Sequence, residues 1–149
     1  MGSVAEEQVA ETVGHRFPGS RMRLEAVVDR MLRDAIGASA PAPDGSAHPL
    51  MVFVAAQGGV GIDLDALFSL FHATSADGPM LGEWSMVLDR PLRIGAEYEI
   101  RAEVADVVRK DGARTGAFDI ATMLIELVGA DGRVDARVRT SFVFPRRQR

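Results

Sequence analysis

Two periods of hydrophobicity divide the chain. In the first half, Leu24, Val27, Val28, Met31, Leu32, Ala35 and Ile36 follow the i, i+3, i+4, i+7 spacing of one helix face, while Arg23, Glu25, Asp29, Arg30, Arg33 and Asp34 fall opposite. An amphipathic helix with its apolar face on the core is expected, ended by Gly37. Residues 38–46 hold two prolines and a glycine and must be loop. Residues 49–56 are then almost wholly apolar, a run too short for periodicity to separate a buried helix from a buried strand. Leu64, Leu67, Phe68 and Phe71 mark another helix, with Asp63 as its N-cap, and Ser75-Ala76-Asp77-Gly78-Pro79 closes the helical half.

Beyond Glu83 the period becomes two. Trp84, Met86 and Leu88 alternate with Glu83, Ser85, Val87 and Asp89, and Tyr98, Ile100, Ala102 and Val104 alternate with Glu97, Glu99, Arg101 and Glu103. Residues 118–128 are apolar on both faces apart from Asp119, Thr122 and Glu126, as an interior strand would be. The last run sets Val134, Ala136, Val138, Thr140, Phe142 and Phe144 against Asp135, Arg137, Arg139 and Ser141. The segment Asp89-Arg90-Pro91-Leu92-Arg93-Ile94-Gly95 hinges the first two strands, and Asp111-Gly112 and Asp131-Gly132 are turn signals for the rest. The expectation is an antiparallel meander following a helical half, an α+β fold in one domain. Residues 1–13, small and acidic, are expected to be a flexible lead-in, and residues 146–149 a solvated basic tail.

Composition narrows the function classes. The 149 residues include no cysteine, which excludes disulfides, thiolate nucleophiles and cysteine metal sites and suits a reducing, cytoplasmic setting. A net charge of −4, with the only basic cluster at Arg146, Arg147 and Arg149, argues against nucleic-acid binding. The apolar run at 49–56 falls far short of the ~20 residues that cross a bilayer, so no membrane association is expected. His15, His48 and His72 have no local chelating spacing, so no metal site is expected.

Leu81-Gly82-Glu83, followed by Arg90-Pro91-Leu92-Arg93-Ile94-Gly95-Ala96-Glu97-Tyr98, resembles the hot-dog family of MaoC-like hydratases and dehydratases. Ala35-Ile36-Gly37 closing a helix, and Ala47-His48-Pro49 opening an apolar segment, are similar too, and the likeness spans about residues 14–145. It implies that the apolar run is a central helix wrapped by the sheet. It also implies lyase chemistry on acyl thioesters of coenzyme A or acyl carrier protein in fatty acid or polyketide metabolism, with the carrier as part of the substrate and no further cofactor. Such chemistry needs a carboxylate and an imidazole on one water. The family motif, alanine-isoleucine-glycine-aspartate-x-asparagine-proline-hydrophobic-histidine, meets Ala35, Ile36, Gly37, Ala38, Ser39, Ala40, Pro41, Ala42 and Pro43. The aspartate place is Ala38 and the histidine place is Pro43, and neither exchanges a proton.

The remaining candidates each carry two readings. Asp44 and His48 are a shifted dyad or two polar loop residues. Gly58 and Gly59 end the apolar segment, and their amides could also approach a thioester carbonyl. Trp84 is a core or interface anchor, or a lining of the acyl tunnel. Arg90 and Arg93 meet the phosphates of coenzyme A or a carrier-protein helix, or simply solvate a sheet end. His72 belongs at a helix end and His15 to the structure. The resemblance implies a dimer, homomeric or with a second hot-dog subunit. Its leading functional implication is the non-catalytic, substrate-binding subunit of a hydratase or dehydratase. The alternatives are a stand-alone enzyme using Asp44 and His48, the fold repurposed for dehydration or cyclisation of a polyketide-like intermediate, and a pure binding or scaffolding module.

Overall fold

The computed structural model describes residues 4–146. Their order is α1 (Glu6–Ala10), β1 (Ser20–Arg23), α2 (Ala26–Ile36), α3 (Met51–Gly58), α4 (Leu64–Leu70), a 3-10 turn (Ser75–Asp77), β2 (Met80–Leu88), β3 (Glu97–Gly112), β4 (Gly116–Val128) and β5 (Val134–Pro145). The expected α+β class holds. Helix α3 is the central one: Met51, Val52, Ala55 and Ala56 are buried, and it packs on β4 and β5. Its small Ala55 and Ala56 let the helix lie close to the sheet. Gly59 follows because nothing larger fits, since a Cβ there would stand 2.5 Å from Ile100 Cγ1 and 2.6 Å from the Ala55 carbonyl oxygen.

The four long strands form where the period-two pattern predicts, but not as one meander. The five-stranded antiparallel sheet has the order β1-β3-β4-β5-β2, so β2 lies beside β5 and not beside the strand that follows it. The Arg90–Gly95 segment is therefore a crossover along the end of the sheet. Its buried Leu92 anchors it, Ile94 donates to the Gly45 carbonyl and Gly95 to the Leu24 carbonyl, and Gly95 takes φ +82° to turn into β3. Asp131-Gly132 does turn β4 into β5, whereas β3 continues through Asp111 and Gly112 and reverses at residues 113–115.

Helix α2 departs further from its pattern. Gly37 caps it at φ +67° as expected, but Val27, Met31 and Ile36 are 55%, 65% and 47% exposed, while Asp29 and Arg33 from the polar face are buried. Asp29 and Arg33 form an i, i+4 ion pair at 2.7 Å, and that pair, with Val28 and Leu32, faces the interior.

The described residues near each end are also more regular than their composition predicts. Residues 6–10 form a helix whose Val9 is fully buried, and β1 occupies residues 20–23, where no strand was expected. Arg146 is not a solvated residue: it pairs with Asp119 at 2.6 Å and donates to the Phe71 and His72 carbonyls. Arg147 and Arg149 of the expected tail, like residues 1–3 of the lead-in, lie outside the described residues. Among the described residues no helix is long and apolar enough to cross a membrane.

Candidate functional site

The loop between α2 and α3 holds the positions at which the sequence motif would place an acid and a base. Every polar group there with an assigned bond serves the backbone. Asp29 Oδ1 accepts from the His48 N–H at 2.6 Å and Oδ2 from Arg33 Nε at 2.7 Å, while Arg33 Nη1 donates to the Ser39 carbonyl at 2.9 Å. Burial works to raise the Asp29 pKa, but the His48 N–H and the Arg33 guanidinium outweigh it and hold the carboxyl below the usual range. The pair thus ties both ends of the loop to α2.

Asp44 and His48 lie in the second half of this loop, and each bonds a nearby backbone N–H. Asp44 Oδ1 accepts from the Ser46 N–H at 2.9 Å, an Asx turn that lowers its pKa, and His48 Nδ1 accepts from the Leu50 N–H at 3.1 Å at the start of α3. Among the described residues no hydrogen bond joins the two. A carboxylate made less basic and directed into its own turn is poorly suited to take a proton from water. His72 stands exposed at the end of α4 with φ +53°, and His15 lies edge-on to Phe17 at 5.2 Å.

Arg90 and Arg93 flank a groove of about 700 Å³ at one end of the sheet, which Arg21, Tyr98, Arg101 and Asp131 also line. Arg90 is fastened inside it, with Nε on Asp135 at 2.6 Å and its two Nη atoms on Asp131 at 3.0 and 3.1 Å. Those bonds pull Asp131 down to about 2 and push Arg90 up. Asp89 adds a backbone bond to Asp135, so Arg90 latches the crossover to the β4–β5 turn. Arg93 donates to the Asp44 carbonyl and forms no salt bridge among the described residues, so its charge is the less neutralised of the two.

A different arrangement lies between α3 and the sheet. The ring of Trp84 on β2 meets Phe53 of α3 at 5.3 Å. Gln57 lies one helical turn beyond Phe53, and Thr140 on β5 is the direct cross-strand partner of Trp84. Gln57 Nε2, Trp84 Nε1 and Thr140 Oγ1 are all buried without a hydrogen-bond partner. Each such group costs about 1–3 kcal/mol unless something supplies its bond. A β-bulge aims Trp84 inward: three residues of β2 span the register from Leu81↔Phe142 to Trp84↔Thr140, where β5 uses two. Ser141 Oγ accepts from the Glu83 N–H inside the bulge at 2.9 Å, and a Cβ on Gly82 would lie 2.8 Å from that oxygen. Gly58 and Gly59 close the same helix, where the Gly59 carbonyl accepts from Ser20 Oγ at 2.9 Å. Trp84 was a candidate from the sequence. Gln57 and Thr140 were not, and nothing in their spacing distinguishes them from packing residues.

Solved structures share this fold of a central helix packed on an antiparallel sheet. The ChsH1–ChsH2 complex of Mycobacterium tuberculosis contains a chain 21% identical, with a TM-score of 0.72 over 97% of this chain and 93% of that one. This is the hot-dog fold. It recurs in the HadBC (3R)-hydroxyacyl-ACP dehydratase complex of M. tuberculosis, 16% identical, with a TM-score of 0.65 over 89% and 96% of the two chains. The R-hydratase PhaJ1 of Pseudomonas aeruginosa has it as well, at 12% identity and a TM-score of 0.63 over 91% and 83%. A MaoC-like dehydratase from Rhodospirillum rubrum has the same hot-dog fold at 21% identity and a TM-score of 0.53. No family model and no curated protein matches the sequence.

Proposed function

We propose that this hot-dog domain binds an acyl thioester of coenzyme A or acyl carrier protein and serves as the non-catalytic subunit of an (R)-specific hydratase or dehydratase. The observation that carries this reading is the α2–α3 loop. Ala38 and Pro43 occupy the motif's acid and base positions, and Asp29, Arg33 and Asp44 are committed to holding backbone. The wrapper around the central helix is kept while the proton-exchanging pair is missing. Arg93, with its less neutralised charge beside the groove, is our candidate for the carrier's phosphates. Gly58 and Gly59 remain candidates for backbone contact near the thioester.

A second hot-dog subunit is the partner we propose, and the edge of the sheet supports this. Strand β2 is the outer strand beside β5, and its Met80, Leu81 and Val87 are 59%, 49% and 59% exposed. An apolar, hydrogen-bonding edge of nine residues invites another strand. Two of the similar structures are complexes of this kind of paired chain. The absence of cysteine fits a cytoplasmic setting.

The test is reconstitution. The pure protein, alone and mixed with a hot-dog subunit that carries the aspartate-histidine loop, is assayed for hydration of a trans-2-enoyl thioester. Co-elution of the two chains, with activity or altered chain-length preference only in the mixture, is the expected result. Full activity of the pure homodimer would overturn the proposal.

A further inference from the structure

Helix α2 presents a charged pair to the core and apolar side chains to solvent. Asp29 and Arg33 are buried, and their bonds to one another, to the His48 N–H and to the Ser39 carbonyl account for the inward face. Nothing among the described residues accounts for the outward one. There Val27, Met31 and Ala35 follow at i, i+4 and i+8, all exposed. Met31, at 65%, is more exposed than any other large apolar side chain among the described residues. Arg30 and Asp34 run beside this stripe, also exposed and one turn apart, and neither side chain has a hydrogen bond or salt bridge among the described residues.

Such a face is its own complement. A twofold axis crossing α2 near Met31 and Leu32 turns a second copy antiparallel while keeping each flank on the same side. Met31 then meets Met31 of the second copy, Val27 meets Ala35, and Arg30 meets Asp34, the last two pairs occurring twice. A parallel pair would instead set Arg30 on Arg30 and Asp34 on Asp34. At eleven residues α2 is about 16 Å long, so this contact is small against the about 1,200 Å² of a stable interface and forms only at high protein concentration. It shares no residue with the β2 edge.

We infer that α2 is a self-association surface, on which a second copy of this chain lays its own α2 antiparallel. Two independent measurements on the full chain test it. The first is sedimentation over a concentration series with the charges reversed. Arg30→Asp sets a carboxylate against Asp34, and Asp34→Arg sets a guanidinium against Arg30. Each alone should weaken association by about tenfold or more, because the twofold makes every repulsion act twice. The double variant exchanges the two charges and should restore it. Both positions are exposed, so the fold should tolerate the changes, and unaltered urea midpoints check this. Pairing through β2 is indifferent to these substitutions, which tells the two contacts apart. The second measurement is cross-linking. The chain has no cysteine, so Met31→Cys introduces a single thiol beside the axis. Under mild oxidation it should give a covalent dimer much faster than Val108→Cys, a control at an exposed position on β3. A wild-type mass that does not rise with concentration, single reversals that associate like the wild type, or a double variant that does not recover would each overturn the inference. So would Met31→Cys cross-linking no faster than the control. Reversals that leave self-association intact but release the second hot-dog subunit would assign the face to that subunit and overturn the inference as well.

Discussion

The α2–α3 loop and the seam between α3 and β2–β5 treat polar groups in opposite ways. In the loop, the buried Asp29 carboxylate has a partner on each oxygen, Arg33 bridges it to Ser39, and Asp44 closes its own turn. In the seam, three buried polar atoms have none. Satisfied groups fix a shape and are then unavailable for other work, whereas unsatisfied ones carry a free-energy cost. At the place that the sequence motif marks for chemistry, the polar groups with assigned bonds hold backbone, whereas three buried polar atoms on α3, β2 and β5 have no assigned partner.

That contrast predicts unequal responses to substitution. Asp29→Ala leaves the Arg33 guanidinium buried without its counter-charge and should cost about 3–5 kcal/mol, read as a lowered urea midpoint. A loss below about 1 kcal/mol would mean that the pair does not hold the loop. Gly59→Ala drives a methyl into Ile100 and the Ala55 carbonyl and should cost about 1–3 kcal/mol. Thr140→Val, by contrast, removes a group that has no partner and should leave stability unchanged or slightly raised. A marked destabilisation would show that its hydroxyl is already bonded in the free protein. Asp44→Ala should have the smallest effect on ligand binding, and a substantial fall in affinity would return Asp44 to the site.

Acid should sharpen the same comparison. Asp29 and Asp119 both have folded pKa values below their ordinary ones. Burial opposes this in each case, outweighed by the His48 N–H and Arg33 at the first and by Arg109 and Arg146 at the second. A carboxyl that is more acidic when folded stabilises the fold above its unfolded pKa, about 3.9, and loses that contribution as pH falls through the lower folded value. Urea midpoints should therefore decline below about pH 4. Asp119→Asn should flatten the decline, because the titrating partner of Arg109 and Arg146 is gone. An unaltered acid limb in that variant would remove Asp119 from the account.

How much of this could be read from residues alone depends on whether the information is local. Strand segments were legible because alternation is local, and Asp63 was legible as an N-cap because its bond to the Ala66 N–H lies within one turn. The position of β2 beside β5 was not, since strand order depends on distant pairing and on the Arg90 latch to Asp131 and Asp135. The α2 pattern placed Val27, Met31 and Ile36 inside because hydropathy has no means of weighing a buried ion pair against them. The i, i+4 spacing of Asp29 and Arg33 was the signal available. At the site, the resemblance alone sets Ala38 and Pro43 at the motif's acid and base positions. The packing of Trp84 was not legible, because its neighbours Phe53 and Thr140 lie on two other elements and reach it only when the sheet closes on α3.

The most direct test of the central claim is turnover by the pure protein. A trans-2-enoyl-coenzyme A thioester is incubated with high concentrations of the protein, bound thioester is followed by Trp84 fluorescence, and 3-hydroxyacyl product is quantified. The account predicts saturable binding with no product above the uncatalysed background. Product formed by the pure protein and abolished by His48→Ala would contradict it.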